Sequence, residues 1–160
     1  MDKISWCLSQ KDGINLIEPN SNLAGGYVKK AEDSLLSMRI NQIKEWKITT
    51  SYYTSYFSVY AILQKIGIKC EIHQCTINFA KVFLKEFLDE EDLEFLEESF
   101  DARKNCQYYV DRKVSDETYN KMMEKTPSFL VKCKSILSKI NEKKIKEIRD
   151  KLSRHNPKSC

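Results

Sequence analysis

The stretch from residue 45 to 66, EWKITTSYYTSYFSVYAILQKI, leaves the chain few folds to choose from. Apolar or small residues fill nearly every position and charges stand only near the ends, so whatever form the segment takes must be covered on most sides. Tyr and Phe favour strands on intrinsic preference. The run, however, is about four times the mean strand length, and it closes at Gly67, where a helix end wants a left-handed residue. A long buried helix is therefore predicted, with the other elements packed around it. Tyr52, Tyr53, Tyr56 and Tyr60 carry hydroxyls into that environment. Each needs a polar partner, so some must face a polar seam or a neighbouring subunit.

The flanking sequence supplies helices to surround it. Residues 1–20 show no sustained helical period and contain Gly13 and Pro19, which reads as an irregular arm anchored by Trp6, Ile14, Leu16 and Ile17. Ser21 or Asn22 is placed to cap a helix in which Leu23, Tyr27, Ala31, Leu35 and Met38 recur on one face. A third helix is predicted over 73–87, with Ile77, Ala80, Phe83, Leu84 and Phe87 inward. A fourth starts in the acidic run Asp89, Glu90, Glu91, Asp92, where negative charge complements the helix dipole; its stripe is Leu93, Leu96, Phe100, Arg103 and Gln107. A fifth begins near Ser115, turns Tyr119, Met122, Phe129, Cys133, Ile136 and Ile140 inward, and is expected to kink or restart at Pro127. Ile145, Ile148 and Leu152 continue the period to about residue 153, with 154–160 frayed. The expectation is an all-α, up-and-down bundle of about five helices, divided into an arm (1–20), a bundle (21–140) and a basic extension and tail (141–160).

Composition excludes several classes. Four Gly and three Pro are too few for the turns of a sandwich or barrel, and 31% charged residues suit helices with wet outer faces. The longest mostly apolar run, residues 52–63, is too short to span a bilayer, and the N-terminus lacks a basic region followed by an apolar one; a cytoplasmic, membrane-free protein is expected. In that compartment the six cysteines are expected to stay as free thiols, most of them acting as small buried hydrophobes. Cys70, His73 and Cys75 lack a second ligand pair, so no metal is expected, and nothing calls for a cofactor. His155 is expected to be exposed.

The net charge of +4 permits nucleic-acid contact without arguing for it. Its distribution is uneven: Lys139, Lys143, Lys144, Lys146, Arg149, Lys151, Arg154 and Lys158 outnumber Glu142, Glu147 and Asp150, whereas 89–101 is strongly acidic. A basic end can meet RNA or an acidic partner, or simply be a solvated helix end.

One constellation stands out. Arg103 and Gln107 are four apart on one helix and hence neighbours, with Cys106 on the adjoining row and Tyr108 and Tyr109 closing the turn. A guanidinium that continues an apolar stripe is costly unless paired. Either a carboxylate such as Glu45 or Asp33 satisfies it structurally, or a ligand phosphate does so at a cleft or interface, which suits the planar fork of Arg.

Three segments, LAGGYVKKAEDSLL, SYYTSYFSVYAILQKIGIKCEIHQ and FDARKNCQYYVDRKVSDETYNKMMEK, in this order and spacing, resemble the HEPN superfamily (higher eukaryotes and prokaryotes nucleotide-binding domain) in its small bacterial and archaeal branch. The resemblance rests most on the Tyr-rich helix ending Lys65-Ile66-Gly67-Ile68, on the following His73, and on Arg103 with Tyr108 five residues on. It implies a helical bundle, often a homodimer, frequently partnered by a minimal nucleotidyltransferase in toxin and antitoxin pairs. In many members it implies a metal-independent ribonuclease, whose Arg holds the scissile phosphate while a His four to six residues later assists proton transfer.

Arg103 matches that Arg and Asn105 the polar residue often beside it. Tyr108, Tyr109 and Val110 stand where the His belongs, so the resemblance implies a module without its acid/base group. The leading expectation is a non-catalytic HEPN-like binding module whose groove around Arg103, Asn105, Gln107 and Tyr108 takes a nucleotide, an RNA phosphate or a nucleotidyltransferase partner. One alternative is a ribonuclease toxin using Arg103 with Tyr108 or His73 as catalytic groups; another is a structural helical adaptor.

Overall fold

A computed structural model describes residues 1–155. Seven helices and one minimal sheet run in the order α1 (Lys3–Ser9), β1 (Asn15–Leu16), α2 (Ser21–Ile40), α3 (Lys44–Ile66), β2 (Ile68–Lys69), α4 (His73–Phe83), α5 (Glu90–Tyr108), α6 (Asp116–Lys139) and α7 (Glu142–Ser153). The mostly α class agrees with the sequence reading; among the described residues the count is seven helices rather than about five.

The central helix is α3, as its all-round apolar pattern demands. Ile48, Tyr52, Val59, Ile62, Leu63 and Ile66 are buried, and α2, α4, α5 and α6 all pack against it. It ends at Gly67 with φ of 86°, a left-handed conformation that an L side chain adopts only under strain. A Cβ there would also collide with Arg149. Arg149 on α7 donates from Nη1 to the carbonyls of Ile17 (2.8 Å), Gly67 (2.9 Å) and Ile66 (3.1 Å), so a cation from the far end of the chain satisfies the orphan acceptors of this helix terminus.

The two additional helices arise where period reading is weakest. α1 is only seven residues long, too short to show a stripe, yet Asp2 caps it by accepting from the N–H groups of Ile4 and Ser5. It buries Ile4 and Cys7 against α4, and the rest of the arm forms β1, paired antiparallel with β2 through Asn15 opposite Lys69 and Leu16 opposite Ile68. The arm is therefore ordered; Ile14 anchors it, while Trp6 and Leu16, read as anchors, are largely exposed. The other extra helix comes from a break after α6: Ile140 is extended, and Asn141 starts α7 by accepting from the N–H of Lys144.

Other boundaries shift for local reasons. Asn20, rather than Ser21 or Asn22, caps α2, and Leu23 faces solvent. α4 stops at Phe83, four residues before the expected end, and Leu84 to Leu88 form turns. α5 starts with a full capping box between Asp89 and Asp92. α6 passes through Pro127 without restarting. Met122 and Thr126 before the proline and Phe129, Leu130 and Cys133 after it are all buried, so packing on both sides holds one axis. A hydroxyl relay also pins it to α3: Ser51 bonds Thr126 (2.7 Å), which donates to the carbonyl of Met122 (2.6 Å).

The main core is continuous from Ile4 and Cys7 to Ile148 and Leu152, with a satellite of Ala31, Leu35, Met38 and Leu130 between α2 and α6. Cys7 and Cys75 form a disulfide across 68 residues, which corrects the expectation of free thiols; Cys70, Cys106 and Cys133 are free. The pairing depends on α1 docking on α4, which no spacing in the sequence announces. His155 is not merely exposed: its ring meets Phe83 edge-on at 5.8 Å and its carbonyl accepts from Ser5. The frayed tail read from the sequence lies, from residue 156 on, outside the described residues. No helix among the described residues is long and apolar enough to cross a membrane.

Candidate anion-binding site

Arg103 is reached from three elements. The α5 stripe that begins with Leu93 and Leu96 turns Arg103 inward against α3, and its side chain is 5% exposed. α3 contributes Tyr52 and Tyr53, and α4 contributes its first residue, His73, so the Tyr-rich helix and the loop after Gly67 both converge on the guanidinium. Four rings surround it: its Cζ lies 5.0 Å from the centroid of Tyr52, 5.6 Å from Phe100 and from Tyr108, and 5.7 Å from Tyr53. Ring faces are negative, so this aromatic cage compensates part of the charge.

The hydrogen bonds are all to neutral groups. Nη1 donates to Gln107 Oε1 (3.0 Å) and to the Tyr108 hydroxyl (3.1 Å), and Nη2 lies 3.3 Å from His73 Nδ1. Nε is buried with no partner. No carboxylate among the described residues lies within 4.0 Å of the group, so neither Glu45 nor Asp33 pairs with it; Asp33 is instead bound to Lys29. A guanidinium enclosed in protein without an opposite charge is an unfinished electrostatic arrangement.

His73 is drawn into this arrangement from thirty residues away, stacked on Tyr56 with ring centroids 4.2 Å apart. A guanidinium only donates, so Nδ1 presents its lone pair to Arg103 and the ring proton sits on Nε2. The Tyr52 hydroxyl meets the same Nδ1 at 2.7 Å. Burial, with the neighbouring Arg103 charge, pulls the His73 pKa down to about 4. The ring is therefore neutral at pH 7, and its one lone pair is already occupied. Burial pushes the Tyr52 hydroxyl pKa far up, so it stays protonated.

The sequence candidates thus divide. Arg103, Gln107, Tyr108 and His73 come together, whereas Asn105 faces the opposite side of α5, accepting from Arg112 at 3.5 Å beside a shallow groove toward the start of α6. The face of α5 explains this: positions 103 and 107 share one row and 105 falls two residues off it. Tyr52, Tyr53 and Phe100 were not named as site residues. The signal for Tyr52 was present, since its buried hydroxyl had to find a polar partner, and that partner is His73. Tyr60 resolves the same demand by accepting from the N–H of Cys70 (3.2 Å).

Of the two groups bonded to Nη1, Tyr108 is 64% exposed and Gln107 is also exposed. Exposed side chains change rotamer in picoseconds to nanoseconds, so the two neutral acceptors on Nη1 are exchangeable for oxygens of an incoming anion. Among the described residues no group of three or more His, Cys, Asp and Glu side chains is placed to hold a metal, and Cys75, one of the three residues weighed for that purpose, is consumed by the disulfide. No known family model matches the chain, and no curated protein matches it significantly.

Proposed function

We propose that the chain is a non-catalytic HEPN-like binding module in which Arg103 takes a phosphate of a nucleotide or of RNA. One observation carries the reading: an enclosed guanidinium bonded only to neutral groups, two of which sit on exposed side chains. A phosphate supplies the missing negative charge and two oxygens for the planar fork. The resemblance adds the setting, a homodimer working beside a minimal nucleotidyltransferase partner, as in toxin and antitoxin pairs.

The ribonuclease reading draws on the 3.3 Å approach of His73 to Arg103, which restores an Arg and His pair by a route the Arg-to-Tyr spacing hides. Its protonation state argues against it. With Nδ1 engaged, Nε2 protonated and a pKa near 4, His73 offers neither a free lone pair for a base nor a proton for an acid at neutral pH. The structural-adaptor reading loses the ion pair on which it was based.

Calorimetry with adenosine triphosphate and short RNAs tests the proposal. Binding is expected for the wild type and to weaken roughly tenfold to a hundredfold in Arg103→Met, the scale of a lost charged hydrogen bond. Absence of binding, or equal binding by the variant, overturns the reading. Cleavage of labelled RNA in chelator, abolished in both Arg103→Met and His73→Gln, would establish the ribonuclease instead.

A further inference from the structure

The central helix is covered on almost every side, and what remains open is not random. Beyond its first turn, the positions of α3 that escape full burial before the last turn are Thr50, Tyr53 and Phe57; with Trp46, 52% exposed, they are spaced four, three and four apart and so form one stripe. Three of its four residues are aromatic. Tyr53 and Phe57 are half-buried against the core and Trp46 is exposed, so the stripe offers aromatic surface where the open row of a central helix is ordinarily polar.

The rings are arranged as a platform. Tyr53 and Phe57 stack with centroids 5.5 Å apart and planes 24° from parallel, and Tyr27 of α2 continues the row 6.0 Å from Phe57. Cations lie over them: Lys30 Nζ is 5.4 Å from the Phe57 centroid and Arg103 Cζ 5.7 Å from that of Tyr53. No carboxylate among the described residues lies within 4.0 Å of Lys30 or Arg103 in any ion pair, although most of the lysines of α5, α6 and α7 are so paired. Free cations interleaved with half-open ring faces complement a ligand that alternates negative charges with flat apolar surfaces.

We propose that this stripe stacks the bases of an unpaired polynucleotide strand, with its phosphates on Lys30 and Arg103. The inference rests on the phosphate reading of Arg103 and adds strand specificity to it. From Trp46 to Phe57 the helix rises about 16 Å, room for about four to five bases at the 3.4 Å spacing of a stacked strand. A duplex hides its base faces and presents only backbone, so the rings select against it. A second protein chain suits the rings and Arg103 but leaves Lys30, a residue type depleted at such interfaces, without a phosphate to meet.

The test uses the Trp6→Phe protein, in which Trp46 is the only indole, titrated with single-stranded oligoadenylate and oligouridylate, with an RNA duplex of the same length, and with inorganic pyrophosphate. Single strands are expected to quench Trp46 and to bind at least tenfold more tightly than the duplex. Phe57→Leu and Tyr27→Leu, which keep apolar bulk and lie outside the Arg103 cage, are expected to weaken single-strand binding roughly fivefold to a hundredfold while pyrophosphate binding stays unchanged. Arg103-dependent pyrophosphate binding without quenching, or with ring variants equal to the parent on RNA, overturns the platform and leaves the phosphate site standing. No binding of any probe overturns both. Ring variants that lower the sedimentation coefficient and leave RNA affinity unchanged assign the stripe to a second copy of the chain and overturn the inference.

Discussion

Arg103 Nη2 and His73 Nδ1 stand 3.3 Å apart although thirty residues separate them, and neither has a carboxylate to balance the guanidinium. The contact fixes the imidazole as a neutral acceptor and leaves the cation with surplus charge. Both consequences are measurable.

The uncompensated charge opposes folding, and the proposed anion would balance it. Replacing buried ionic groups by well-packed apolar side chains of similar volume is often neutral or stabilising by about 1–4 kcal/mol, and Arg103 is bonded only to neutral groups. Arg103→Met is expected to melt at or above the wild-type temperature while losing nucleotide binding. For a chain of this size 1 kcal/mol appears as about 2–4 °C, so a clear drop in melting temperature would show that Arg103 instead holds the fold.

Protonation of His73 opposes folding. Its pKa is about 4 in the fold against 6.5 ordinarily, so between these values the unfolded chain binds the proton more readily. The stability contributed by the neutral ring is complete above pH 6.5 and is lost as pH falls toward 4. Urea midpoints of wild type and His73→Gln at pH 4 to 7 are expected to differ in slope, the variant being flatter over that window. Identical slopes would refute the assignment, since carboxylates contribute equally to both proteins.

Arg149 closes the far end of the central helix. Arg149→Ala removes three donated bonds from carbonyls of Ile17, Ile66 and Gly67 and is expected to cost about 1.5–3 kcal/mol by urea denaturation, with nucleotide binding retained in the folded state. Gly67→Ala meets positive φ and the Arg149 side chain together and is expected to destabilise by more than about 1 kcal/mol. If either variant is as stable as wild type, the cap carries no weight.

The Cys7–Cys75 bridge closes a loop of 68 residues, for which loop entropy gives about 4 kcal/mol. Alkylation of the denatured, unreduced protein is expected to leave Cys7 and Cys75 unmodified and to label Cys70, Cys106 and Cys133. The double variant Cys7→Ser/Cys75→Ser is expected to unfold at lower urea, with α1 exchanging its amide hydrogens fastest. Complete labelling without reductant would show the thiols to be free.

Much of the fold was legible because it is written in short-range periodicity. The all-round apolar pattern of 45–66 specifies a central helix, Gly67 its end, and the acidic run the start of α5; each is local chemistry. The two elements that period reading misses, α1 and the separate α7, depend on a cap and a few distant contacts: Asp2 with Cys75 for the one, Asn141 with the carbonyls served by Arg149 for the other. Pro127 shows the reverse case, where packing on both sides outweighs a local helix breaker.

The same division runs through the site. By itself the sequence determined that Arg103 continues an apolar stripe and has Gln107 and Tyr108 within reach, because those relations are fixed by 3.6 residues per turn. Only the tertiary structure decided that His73 and Tyr52 complete its surroundings, that Glu45 and Asp33 stay away, and that Cys7 meets Cys75. Those outcomes depend on which helix faces cross. Crossing is set by the whole core at once, and no single segment encodes it.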